Sequence, residues 1–239
     1  MELIPAIMIN DWFDKYSLQA RLAPALLTLF PAILLLAIEF PHLYQTAAGL
    51  VSLVLICGVL TLVSHFARTR GKKVEQRLNT KWGGRPTTRF LLNANGELDD
   101  RTYNRYLTFF SQKIPNWGLG ENKREDLESA VRWLLERTRD TATYGLVFKE
   151  NISYGFRRNC LGMKPVGLFI VILCSVYWLL QIQAEYTSLH EVLPLHMGGL
   201  GIAILLLLWW MFVVGDDWVQ EAGNAYAKTL LGSIDTMNE

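Results

Sequence analysis

Six cations and an indole share residues 72–89: Lys72, Lys73, Arg77, Lys81, Trp82, Arg85 and Arg89, with Glu75 as the lone acid. Lys73, Arg77 and Lys81 recur every four residues, which places them on one face of a helix. A stripe of this kind suits a polyanion, because ammonium and guanidinium groups neutralise phosphates and an aromatic ring can stack on a base. Two simpler uses stay open beside it. A basic segment close to a membrane attracts anionic headgroups, and a charged helix face can simply be solvated.

Inside this stretch, Trp82-Gly83-Gly84-Arg85-Pro86-Thr87-Thr88-Arg89 predicts an anion-capable loop. Two glycines permit positive φ and expose N–H groups, Pro86 stiffens the turn, and Thr87 and Thr88 add hydroxyls. The GxxxxGK[ST] order of a P-loop is absent. A turn that packs Trp82 would need the glycines equally well. A second basic string, Tyr154-Gly155-Phe156-Arg157-Arg158-Asn159, leads to Gly162, Lys164 and Pro165, with Pro165 at an expected first helical position. Arg-Arg-Asn could also attract phosphate, although basic residues at a membrane entry need no further role.

Both strings lie in a polar block, residues 68–164, that holds 20 of the 23 Lys and Arg but 11 of the 22 acids. Its net charge of +9 is hidden by the overall +1. Around it lie four nearly uncharged runs, residues 22–38, 46–67, 165–184 and 196–214. Each is close to the roughly 20 residues that cross a hydrocarbon core. The sequence therefore predicts a mainly α protein: four transmembrane helices in two hairpins around a basic, mostly helical central domain. Its parts are residues 1–67 (interfacial segment and first two spans), 68–164, 165–215 (spans three and four) and 216–239 (amphipathic tail).

Residues 1–21 lack a small-residue cleavage site and have the wrong shape for a signal peptide, so the first span is expected to remain. The connections 39–45 and 185–195 carry no Lys or Arg, whereas Arg68, Arg70, Lys72, Lys73, Arg157, Arg158 and Lys164 crowd the block's two ends. The positive-inside rule then puts the block and both termini in the cytosol. Gly58, Thr61 and His65 form a thin polar stripe on the second span, either lining a pore or allowing close helix packing.

Within the block, Asn95-Gly96 predicts a turn and Asp99 an N-cap for a helix ending near Lys113. Asn122 is expected to cap a second helix with Leu127, Val131, Leu134 and Leu135 as its apolar stripe. Glu128, Arg132 and Glu136 have i,i+4 spacing, which reads as a solvated ion-pair face and leaves Arg132 outside the site. The tail could lie along a membrane or pair with a neighbouring subunit. Catalytic and metal-ligand motifs are absent, and Cys57, Cys160 and Cys174 fit no paired pattern, so neither an enzyme nor a cofactor is expected.

The strings WGGRPTTRFLL and YGFRRNCLGMKP, set between two hydrophobic pairs, resemble those of the transmembrane effectors of the Hailong anti-phage defence system. The resemblance implies a homo-oligomeric, tetrameric ion channel working with a partner nucleotidyltransferase. Its cytosolic domains would sense single-stranded oligodeoxyadenylate, which holds the channel shut until infection removes it. By residue type, Lys72, Lys73, Arg77, Lys81, Trp82, Arg85 and Arg89 would be the sensing residues. Two other classes remain: a non-conducting scaffold that recruits a soluble enzyme, and a membrane sensor of cyclic nucleotides.

Overall fold

The computed structural model of the chain describes residues 15–41, 47–92, 96–115, 117–118, 123–186 and 193–237. Among them every regular element is helical. A π-helical turn, Ser17–Leu22, runs into α1, Ala23–Glu39. Then follow α2 (Ala47–Lys81), α3 (Pro86–Leu92), α4 (Asp100–Lys113), α5 (Lys123–Arg137) and α6 (Gly145–Tyr186). Last come α7, Leu193–Leu208, extended by a π-helical turn at Trp209–Val213, and α8, Asp216–Thr236.

Four helical stretches are long and apolar enough to cross a membrane: Ser17–Glu39, Leu53–Leu92, Gly145–Ala184 and Pro194–Val213. The chain is a multi-pass membrane protein by this measure. The second and third stretches outrun any bilayer. At 1.5 Å per residue, the 35 residues of α2 reach about 52 Å against a hydrocarbon core of about 30 Å. The apolar run of α2 therefore continues without a break into the basic residues 68–81.

One sequence expectation is corrected in α6. Pro165 does not open a helix; it sits inside the 42-residue α6. Its missing N–H forfeits one backbone bond, which a helix packed on both sides of the proline survives. The helix already has partners there: Cys160 and Met163 before the proline, Val171 and Cys174 after it, are buried in two apolar clusters.

The chain divides into two compact units, Met1–Val74 with Gly155–Trp218, and Glu75–Tyr154 with Val219–Glu239. In the first unit, Val171, Cys174 and Trp178 of α6 pack with Ala203 of α7, and Leu34, Leu35 and Ile38 of α1 close the cluster. Helix α2 joins by its later part, where Val63 and Ala67 meet Cys160, Met163 and Trp210. Glycines set the approach: the Trp210 indole fills the space a Cβ on Gly167 would need, and Trp178 does the same at Gly199. His196 is buried with Nε2 2.9 Å from Glu39 Oε1, joining the start of α7 to the end of α1.

The second unit has its own core of Phe90, Leu91, Tyr106, Phe109, Phe110, Leu127, Ala130, Val131 and Leu134. Asp99 caps α4 as its residue type dictates, accepting from Thr102 N–H at 3.0 Å. Asn95 and Asn122 lie outside the described residues. The apolar face of α8, with Ala227, Leu230, Leu231 and Ile234, is buried in this same core. That face therefore meets the chain's own helices rather than lipid, and Arg105 fixes it with two bonds to Asp235 at 2.9 and 3.2 Å.

Candidate functional site

The glycine loop after α2 is built differently from the expected anion cradle. Gly84 N–H donates to Asn79 O at 2.8 Å and Gly83 N–H to Thr80 O at 3.3 Å, while Gly83 adopts φ 75°. This is a Schellman cap: the two amides close the carbonyl end of α2 and are not offered to a ligand. Thr87 and Thr88 are corrected as well, since both are buried in α3 beside Pro86. Arg89 turns inward, its Nη2 lying 2.9 Å from both Glu97 Oε1 and Asn224 Oδ1.

What remains open to solvent beside the cap is a hollow of about 570 Å³ lined by Asn79, Thr80, Gly83, Gly84, Arg85, Arg124, Glu128, Arg132 and Leu135. This volume falls in the range of roughly 300–1,000 Å³ typical of small-ligand sites. Three guanidiniums face one carboxylate. Arg124 Nε pairs with Glu128 Oε1 at 3.3 Å, and its Nη2 lies against Gly84, where φ is 146°. Arg85 and Arg132 are exposed, and neither has a carboxylate partner among the described residues.

Of the seven residues expected to sense a ligand, only Arg85 lines this hollow. Arg77 and Lys81 are exposed on the last turns of α2 and Trp82 is half-buried at its end. Lys72 and Lys73 are exposed and belong to the other compact unit. Sequence reasoning missed Arg124 and Arg132. The signal was the spacing 124, 128, 132 on one face of α5, which was masked by the Glu-Arg-Glu pattern. In the structure Glu128 goes to Arg124 and Glu136 to Arg139, leaving Arg132 on the hollow.

The charge of the polar block is redistributed by folding. Residues 68–74 and 155–164 carry seven Lys and Arg and no acid, and both fall in the first unit. The second unit, tail included, holds 14 Lys and Arg against 14 Asp and Glu. It carries no net formal charge, so any cationic site on it is local. The basic string of α6 is used structurally: Arg157 donates to Trp218 O at 2.9 Å and Asn159 to Ala20 O at 2.6 Å. Lys164 Nζ reaches Val214 O at 2.7 Å, meeting the carbonyl end that follows α7.

Comparison of the chain with protein-family models, curated proteins and solved structures gives no match.

On the second span, Gly58 and His65 are exposed, and no described atom comes near the position of a Gly58 Cβ. The Thr61 hydroxyl donates to Cys57 O of its own helix at 2.9 Å. Leu53 and Leu55, on other faces, are 57% and 64% exposed, so nearly all of this part of α2 is left for a neighbour to cover. Among the described residues no cluster of His, Cys, Asp and Glu could hold a metal ion.

Proposed function

We propose that this protein is a membrane effector of bacterial anti-phage defence, an oligomeric ion channel controlled by a single-stranded oligodeoxyadenylate bound to its cytosolic domain. The carrying observation is the three-arginine hollow of the second unit, which offers a phosphate-bearing ligand a net positive site in a body whose total formal charge is zero. The unbroken helix α2, leading from a membrane span to the rim of that hollow, supports a link between recognition and the spans. The resemblance of the two basic strings supports the defence role, the homotetramer, the partner nucleotidyltransferase and the identity of the strand.

The exposed, mostly apolar part of α2 is the natural seam of an assembly, with Gly58, Thr61 and His65 toward its axis. Four helices in one subunit leave no room for an aqueous path, and closed symmetry supplies one. The cytosolic position of the second unit rests on the seven Lys and Arg, with no acid among them, at residues 68–74 and 155–164. These cations also meet anionic membrane lipids.

A second reading has one observation in its favour. The hollow is compact rather than an extended groove, which fits a small cyclic nucleotide. Salt dependence separates the two, because a strand releases roughly 0.7 counterions per phosphate contacted. The test is binding of oligodeoxyadenylate to the purified chain across salt concentrations, with ion flux in liposomes measured alongside. A steep salt slope and ligand-dependent flux support the channel reading. Binding without flux would leave a scaffold, and absence of strand binding would refute the reading.

A further inference from the structure

The charged donors around the hollow are guanidiniums, and the Schellman cap has already used the Gly83 and Gly84 amides. Three arginines and one carboxylate line the hollow; Arg124 engages Glu128, and Arg85 and Arg132 have no carboxylate partner among the described residues, so they leave a local excess of two positive charges. An internal phosphodiester brings a single negative charge. A terminal phosphate monoester carries about −1.5 to −2 near pH 7 and presents three oxygens to arginine forks. Leu135 adds an apolar wall on which a sugar or base edge could rest.

From this match we propose that the hollow of Arg85, Arg124 and Arg132 receives the terminal phosphate monoester of a nucleotide strand. The proposal rests on the nucleotide-binding reading and deepens it: the site recognises an end, and the rest of the strand is held elsewhere. Arg85 and Arg132 act as specificity-determining residues, gripping the monoester oxygens, while Gly84 keeps the Arg124 fork close to the cap.

The experiment uses the full chain in detergent and an internally labelled oligodeoxyadenylate in three forms: 5′-phosphorylated, 3′-phosphorylated, and with both ends hydroxyl. One phosphorylated form should bind at least about tenfold more tightly than the form with hydroxyl ends, as a dianion on arginine forks requires. Millimolar inorganic phosphate should compete weakly. The Arg85→Gln, Arg132→Gln double variant should lose the preference while still binding the hydroxyl-ended strand, with unchanged thermal unfolding because both side chains are exposed. Equal binding of all three forms by the wild-type chain overturns the proposal and leaves the nucleotide-binding reading standing. Tight competition by inorganic phosphate also overturns it, as a site for the free anion. If no form binds, the nucleotide-binding reading falls, and the proposal falls with it.

Discussion

The Arg124 guanidinium lies so close to Gly84 that a Cβ there would come within 2.8 Å of Nη2. Gly84 also sits at φ 146°, a backbone region that side chains rarely enter. Gly84→Ala should therefore both strain the cap and displace Arg124 from the hollow. We expect a loss of about 1–3 kcal/mol in stability, read by thermal unfolding, together with weaker anion binding. Gly232→Ala is the control. It lies within α8 with open space around its Cβ, so the change should be neutral or stabilising by up to about 1 kcal/mol.

Arg89 is expected to matter through the fold. Its side chain and that of Glu97 are 11% and 19% exposed, so Arg89→Ala leaves a largely buried carboxylate without its cation. The cost should be about 3 kcal/mol, on the order seen when a buried pair is broken from one side. Adding Glu97→Gln should recover part of it, and a double-mutant cycle measures the coupling. Full stability of Arg89→Ala, with strand binding lost, would return Arg89 to the ligand-binding set.

These two residues also show how far the sequence could be read. The four spans were legible because each is a long run without internal charge, and no alternative buries such a run in water. Asp99 was legible because capping is local chemistry settled within three residues. The role of the glycine loop was not, since the same Gly-Gly serves an amide cradle or a helix cap. The choice depends on which carbonyls of α2 come within reach. Arg132 was lost for a related reason: i,i+4 spacing names two acids as partners, and two other local pairs, Arg124–Glu128 and Arg139–Glu136, took both. The stripe from Lys72 to Arg89 looked continuous because sequence cannot show that the chain changes compact unit after Val74.

The crossing of α2 and α6 depends on an absent side chain at Gly71. A Cβ there would collide with the Asn159 carboxamide, and one on Gly162 would come within 2.7 Å of the Gly71 nitrogen. Gly71→Val should force the helices apart at a cost of about 1–3 kcal/mol, the usual range for overpacking. Gly58→Ala meets no atom of the described residues and should leave thermal unfolding in detergent unchanged. If Gly71→Val matched the wild type, the two helices would not cross as described.

Acid should loosen α4 through its cap. Hydrogen bonds from Thr102 hold the Asp99 carboxyl below its ordinary value of 3.8. A depressed folded-state pKa means that the cap's contribution is complete above about that value and fades as pH falls through the lower, folded-state one. Asp99→Asn keeps an equally good N-cap but cannot titrate. Circular dichroism between pH 5 and pH 2 should therefore show a smaller acid-induced loss of helix in the variant. Identical acid profiles would mean that the Asp99 charge does not hold the cap.

The orientation can be read through thiols. Cys160 and Cys174 are buried and Cys57 is the exposed one, so Cys57→Ser leaves a chain with little reactive background. Lys123→Cys then places a thiol at the exposed start of α5, beside the hollow. With the second unit in the cytosol, a membrane-impermeant maleimide should leave this thiol unlabelled in intact cells and modify it after permeabilisation. Labelling in intact cells would invert the topology. An intracellular strand could then no longer reach Arg85, Arg124 and Arg132, and the seven cations at the ends of the spans would be facing away from the compartment that retains them.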